Sequence, residues 1–207
     1  MPRPRFMKLP AEKQAAILES AAREFAAHGF DGASLNRILE QAQVSKGAAY
    51  YYFDDKADIF ATTVLHYAGD LIGGLAEMTT GLTADNFWST FADQYAAQFA
   101  FFADKPWAFG AIKAAGRLSL RELEENPALV ASLGEVQQGV VTLLRRGQEL
   151  GVVRTDLPLD LLAAIFIAVD DANDRWVLAH WDALDIDELT QVGRRVMAGL
   201  SRLLGVQ

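Results

Sequence analysis

Apolar side chains recur along this chain at intervals of three and four residues, and that spacing predicts helices over most of its length. Pro10 suits the first turn of a helix that continues to about Ala27, with Ile17, Ala21 and Phe25 on one face. Leu35, Ile38, Leu39 and Ala42 mark a short second helix. A long one follows from Asp55 to near Gly81, its face drawn by Ile59, Phe60, Thr63, Val64, Tyr67, Leu71 and Leu75. The next starts around Ala84 and carries Phe87, Phe91, Tyr95 and Phe99 at successive i,i+4 positions. Further helices are expected over 107–124, 128–150, 158–179 and 186–204. No segment sustains the alternation of a strand between turn signals, so the fold class is all-α.

Several boundaries carry physical markers. Asn126-Pro127 ends one helix and starts the next, because proline disfavours α geometry in the residue before it. Gly151 can close the helix that contains Arg145 and Arg146, leaving 152–156 as a connector. Pro158 suits a first turn, and Asp185 with Glu188 has the spacing of an acidic capping box. Gly73, Gly74 and Gly110 read as packing or kink positions inside helices.

Composition narrows the function. With 207 residues the chain has room for one or two domains and a substantial core. It has no cysteine, which removes disulfides, thiolate metal sites and thiol nucleophiles and fits a reducing cytoplasm. No apolar stretch near Met1 resembles a signal peptide, and the run from Leu161 to Val169 falls short of the ~20 residues a membrane helix needs. A soluble cytoplasmic protein with no membrane partner is therefore expected. His28, His66 and His180 lie far apart without metal-ligand spacing, and no catalytic triad, phosphate loop or dinucleotide fingerprint stands out. We expect no metal, no cofactor and no enzymatic activity.

The net charge of -8 argues against a nucleic-acid partner until it is divided along the chain. Residues 1–56 hold eight Lys or Arg against seven Asp or Glu, about +1, which leaves about -9 for the remainder. That asymmetry gives a near-neutral head on an acidic body, a combination that should make any DNA binding strongly salt-dependent. Arg3, Arg5 and Lys8 form either an arm reaching phosphates or the minor groove, or an unstructured start.

The densest information lies between Ser34 and Lys56. Ser34 can cap the short helix, Gln43-Val44 makes a tight turn, and Ser45 can cap another helix. Lys46, Gly47 and Ala48 in that first turn leave a narrow tip able to approach base edges. Tyr50, Tyr51 and Tyr52 follow, and a phenol can donate to a phosphate oxygen while its ring packs on the domain. This is the punctuation of a helix-turn-helix; the bland alternative is a helical hairpin in a bundle with half-buried tyrosines.

On Val44, Ser45, Tyr50, Tyr52, Phe53 and Lys56 the chain resembles the TetR family of transcriptional repressors, and Ile17, Ala21, Phe25 and His28-Gly29 resemble that family's first helix and its glycine stop. Two positions depart from the pattern. Gln43 stands where a turn glycine is usual, which requires a positive φ of a non-glycine residue, and Ala49 stands where a core leucine is usual. The resemblance implies that Ser34, Tyr50, Tyr52 and Lys56 hold phosphates, and that Asn36, Lys46, Gly47, Ala48 and Tyr51 lie near bases. It implies a DNA-binding domain over 1–56 and a helical effector-binding and dimerisation domain over 57–207. A homodimeric repressor on double-stranded operator DNA, released by a small molecule, is the expected function. The alternative is a helical small-molecule-binding protein or enzyme that retains a helix-turn-helix without a regulatory role.

In the second domain, Phe87, Phe91, Tyr95 and Phe99, with Trp107 nearby, line a cavity for an apolar or aromatic effector or else pack as core. Asp170, Asp171, Asn173 and Asp174 interrupt an apolar helix, and each must face water, pair or serve a ligand. Asp171 and Arg175 are four apart and can pair, while Asp170 or Asn173 is the candidate for fixing a polar part of the effector. The resemblance places a four-helix dimer interface on the last two helices, with Ile165, Val169, Trp176, Val192, Val196 and Leu200 on it.

Overall fold

The computed structural model describes residues 2–45, 50–78, 81–119, 123–124 and 126–206, of residues 70–78 the backbone alone. After a 3-10 turn at Phe6–Lys8, the helices are α1 (Ala11–Gly32), α2 (Leu35–Gln41), α3 (Lys56–Met78), α4 (Phe87–Phe102), α5 (Pro106–Ala115), α6 (Pro127–Glu149), α7 (Leu159–His180) and α8 (Ile186–Leu204). Residues 50–52 are also helical. The all-α expectation holds: among the described residues the sole extended pairing is an isolated bridge between Val153 and Gly205.

The chain forms two compact units, one of residues 1–69 and 105–133, the other of 70–104 and 134–207. The first reaches beyond residue 56 because α5 packs along α1, which also carries α2. Its core joins Ile17, Leu18, Ala21, Ala22 and Phe25 of α1 to Ile38 of α2, Ile59 and Phe60 of α3, and Ala111 of α5. The ring of Phe60 meets that of Phe25 edge-on at 4.7 Å. In the second unit α8 packs on α4 and α7.

Local chemistry ends the helices where the residues dictate. Gly29 has φ 66°, so the regular part of α1 stops there and the last turn, to Gly32, leaves on a new axis. The ammonium of Lys56 then donates to the carbonyls of Phe30 (2.7 Å), Asp31 (3.2 Å) and Ala33 (3.4 Å), which the broken helix leaves without helical partners. Gly151, at φ 72°, closes α6. Asp185 and Glu188 complete the capping box, each accepting the other's backbone N–H.

One element is shorter than its spacing predicts. The helix expected over 107–124 ends at Ala115, where Gly116 caps it and Arg117 and Leu118 wind into i to i+3 bonds on Ala114 and Ala115. Leu123 and Glu124 are helical again. Among the described residues no helix is long and apolar enough to cross a membrane.

Candidate nucleic-acid interface

Ser34 starts α2 as the spacing implies: its hydroxyl accepts the N–H of Arg37 at 3.5 Å. What seats that start is Glu24, a carboxylate of α1 that is 3% exposed. Its Oε1 accepts the Ser34 N–H at 2.8 Å and the Arg37 Nε at 2.8 Å, and a second Arg37 nitrogen bonds the same oxygen. Arg37 also reaches the carbonyl of Gly32 at 3.0 Å. Burial pushes the Glu24 carboxyl up, but the bonds from Arg37 and Ser34 outweigh it and hold the group below its ordinary value. Sequence periodicity passes over Glu24, although it lies seven residues after Ile17 and therefore on the core face of α1.

The turn after α2 is built on Gln43, whose φ is 55°. The left-handed residue lets the Val44 N–H return to the Leu39 carbonyl at 2.8 Å. Asn36 on α2 and Ser45 after the turn are exposed. Lys46, Gly47 and Ala48, expected at the reading tip, and Ala49 lie outside the described residues. Tyr50 and Tyr51 follow at 60% and 50% exposure, an unusual display for two large rings, while Tyr52 is half-buried. The guanidinium of Arg5 stands 3.9 Å over the ring of Tyr51.

The start of the chain is neither a free arm nor unstructured. Phe6 is buried and its ring lies 4.9 Å from that of Phe53. Arg3 donates to Asp54 Oδ1 from Nε (2.8 Å) and Nη2 (2.6 Å). Three arginines of this unit thus face carboxylates of the same unit, Arg3 on Asp54, Arg23 on Glu19 and Arg37 on Glu24, which uses up much of the positive charge counted from sequence.

The residues proposed for an effector are divided between the units. Phe87, Phe91, Tyr95 and Phe99 are all buried in the second, where Phe91 meets Phe166 at 5.7 Å. Trp107 belongs to the first, half-buried against Tyr67 and under Arg23. That phenol, Tyr67, is pushed up to about 12, by burial and then by the charge of Glu19, with Arg23 pulling the other way. Asn173 points inward and donates to the Tyr95 hydroxyl at 2.7 Å, and that hydroxyl donates to Asp174 at 2.8 Å. Burial raises the Tyr95 phenol well above its ordinary range, and the charges of Asp170 and Asp174 raise it further. Asp174, one of the four polar residues that interrupt this helix though not an effector candidate from sequence, is fully buried, whereas Asp170 is half-buried. Asp171 pairs with Arg175 at 2.8 Å as their spacing implies.

Of the residues assigned to a dimer face, Trp176 is 39% exposed and Ile165, Val169, Val192 and Val196 are half-buried. Leu200 is a correction: it is 1% exposed within one chain, on the side of α8 that faces the core with Leu189, Gly193 and Met197. Leu203, at 49%, takes its place on the open side.

A capped short helix, a left-handed turn residue and an exposed tyrosine segment define a helix-turn-helix protein of the kind that reads DNA. The model of bacterial regulatory proteins of the tetR family matches residues 17–63. The HTH-type transcriptional repressor AcnR of Corynebacterium glutamicum is 27% identical over 172 residues, which span 78% of this chain and 80% of that protein. AcnR of Corynebacterium diphtheriae is 29% identical over 70% of each chain. The structure of the regulator FadR from Bacillus subtilis in complex with stearoyl-CoA superposes with a TM-score of 0.73 at 19% identity, over 90% of this chain and 96% of that one. Residues 17–63 thus match the tetR family of bacterial regulatory proteins, and the chain is a DNA-binding transcriptional regulator.

Proposed function

We propose that the protein is a cytoplasmic, homodimeric repressor, without enzymatic activity, that leaves its operator when a small apolar or aromatic effector binds. Residues 1–56 are its DNA-reading part and 57–207 its effector-binding and dimerisation part. The observation that carries the reading is the exposure of Tyr50 and Tyr51 in the segment after the Gln43 turn, where their phenols can donate to phosphate oxygens. In this reading Ser34, Ser45, Tyr50 and Tyr52 contact phosphates, while Asn36, Lys46, Gly47, Ala48 and Tyr51 approach bases. Lys56 contributes by holding the end of α1. The name of AcnR supports repression as the sign of regulation.

The test is binding of the purified protein to its own upstream intergenic DNA under salt titration with excess nonspecific competitor. We expect saturable binding whose log K falls by about 0.9 per phosphate contact for each tenfold rise in salt. Turnover of a small molecule by a protein that binds no DNA fragment in a genome-wide selection would instead support a helical enzyme.

Dimerisation is supported by the open faces of α7 and α8, where Leu161, Ile165, Val169 and Trp176 lie on one helix and Val192, Val196 and Leu203 on the other. A charge there should separate the protomers and, with them, the paired reading heads. Val196→Glu is expected to sediment as a monomer and lose on the order of 100-fold in operator affinity, the advantage of linked half-sites. A monomeric variant with wild-type affinity would reject the paired-head reading. For the effector, the apolar wall is Phe91, Tyr95 and Phe166, with Asn173 and Asp170 as orienting groups. The fold of FadR, solved with stearoyl-CoA, supports a ligand with long apolar surface.

A further inference from the structure

Four consecutive residues at the end of the helix-turn-helix are each held by a residue near the start of the chain. Tyr51 lies under the Arg5 guanidinium at 3.9 Å. The Tyr52 carbonyl accepts the Arg3 N–H at 2.8 Å. Phe53 packs on Phe6, and Asp54 accepts two bonds from the Arg3 side chain. The short segment is itself anchored, because Gln14 of α1 donates to the Leu9 carbonyl at 2.9 Å and the Phe6–Lys8 turn leads directly into it.

We infer that residues 3–6 form a strap that sets the tyrosine segment in its DNA-reading position, with Arg3 and Phe6 as positioning residues. The inference rests on the reading that residues 50–52 face DNA. Exposed phenols lose rotational and backbone freedom when they bind phosphate, and fixing them beforehand removes that cost from binding. Arg3 satisfies a carbonyl at the end of the tyrosine helix, which would otherwise be free to fray. It also pairs with Asp54, a carboxylate that is 64% exposed two residues from Tyr52.

Positioning and simple electrostatics predict opposite results at Asp54. Removing a negative charge beside a phosphate-facing segment should by itself strengthen binding to every DNA. Removing the anchor of the strap should weaken binding, and most at the correct site, where Tyr51 of the same segment also approaches bases. We therefore expect Asp54→Ala to bind the selected operator about 3- to 10-fold more weakly than wild type, and nonspecific competitor as well or better. Arg3→Ala should weaken the operator complex by a similar factor, and the double variant should be no worse than the worse single one, as two halves of one interaction require. Phe6→Ala risks the fold by emptying a core position, so Phe6→Leu is the variant to compare, with thermal unfolding showing that each protein is folded at the assay temperature.

Operator binding by Asp54→Ala equal to or tighter than wild type would overturn the strap, and so would additive losses in the double variant. A wild-type protein that binds no fragment specifically would overturn the DNA-facing reading of the tyrosines and the strap together, which separates the two failures.

Discussion

Replacing Glu24 with alanine should destabilise the first unit by roughly 2–4 kcal/mol and remove specific DNA binding, although Glu24 touches no part of the exposed tyrosine segment. The carboxylate is 3% exposed and takes three hydrogen bonds, two from Arg37 and one from the Ser34 N–H. Without it the Ser34 N–H at the start of α2 loses its acceptor, and α2 loses the tie that fixes its angle to α1. Urea unfolding followed by the fluorescence of Trp107, the tryptophan of this unit, should show the midpoint fall. Glu24→Gln keeps one acceptor and should fall between alanine and wild type. The pH dependence gives an independent sign. Because the folded-state pKa lies below the ordinary 4.5, this carboxylate's contribution is complete above pH 4.5 and is lost as pH falls through the folded value. The stability gap between wild type and Glu24→Gln should accordingly narrow below pH 4.5; a gap that stays constant to pH 3 would mean that the ionised carboxylate is not what holds Ser34 and Arg37.

Those features legible in the sequence were the ones governed by local backbone chemistry. The Ser34 cap, the Asp185 capping box and the glycine that closes a helix at 151 each depend on a few neighbouring residues, and each is found where its spacing puts it, while the glycine stop at 29 and the positive φ at Gln43 follow from the family resemblance. Helix α8 occupies the span its apolar repeat predicts. Polar residues with long-range partners were not legible. Glu24 reads as one more surface carboxylate on a helix, and only the fold shows that Arg37 comes to it from thirteen residues away. Lys56 presents the same difficulty: a lysine after the tyrosines suits a phosphate, yet its ammonium reaches carbonyls from 23 to 26 residues earlier.

Apolar residues raised a different problem, since periodicity finds the stripe but not which side of it meets its own chain. Leu200 follows Val196 by four residues, but α8 turns Leu200 into the core and leaves Leu203 in water. The aromatic stripe of α4 was open to two readings, cavity wall or core. Its complete burial at Phe87 and Phe99 shows that these two side chains pack as core, while Tyr95 with Asn173 and Asp174 is the polar group set among them. Trp107 is near the stripe in sequence alone, and its ring packs instead on Tyr67 of the first unit.

The crossing of α8 over α4 carries the other large expected effect. Gly193 faces two rings there, and a Cβ at this position would stand 2.6 Å from Phe99 and 3.1 Å from Tyr95. Neither ring can move aside cheaply, because Phe99 is fully buried and Tyr95 is fixed by its bonds to Asn173 and Asp174. Helix propensity alone favours Gly193→Ala by about 1 kcal/mol. Overpacking of a closed core costs about 1–3 kcal/mol for a methyl and more for a branched side chain, so packing should prevail over propensity. We expect Gly193→Ala to lower the stability of the second unit by about 1–2 kcal/mol, and Gly193→Val to leave it largely unfolded at 37 °C. Gly134, an exposed glycine of α6 with nothing within 4 Å of its added Cβ, supplies the opposite case. There the same glycine-to-alanine change should stabilise by up to about 1 kcal/mol, since propensity acts unopposed. Calorimetric unfolding of the two alanine variants beside wild type reads both signs at once, and a stabilised Gly193→Ala would show that α4 and α8 are not packed closely enough for the glycine to matter.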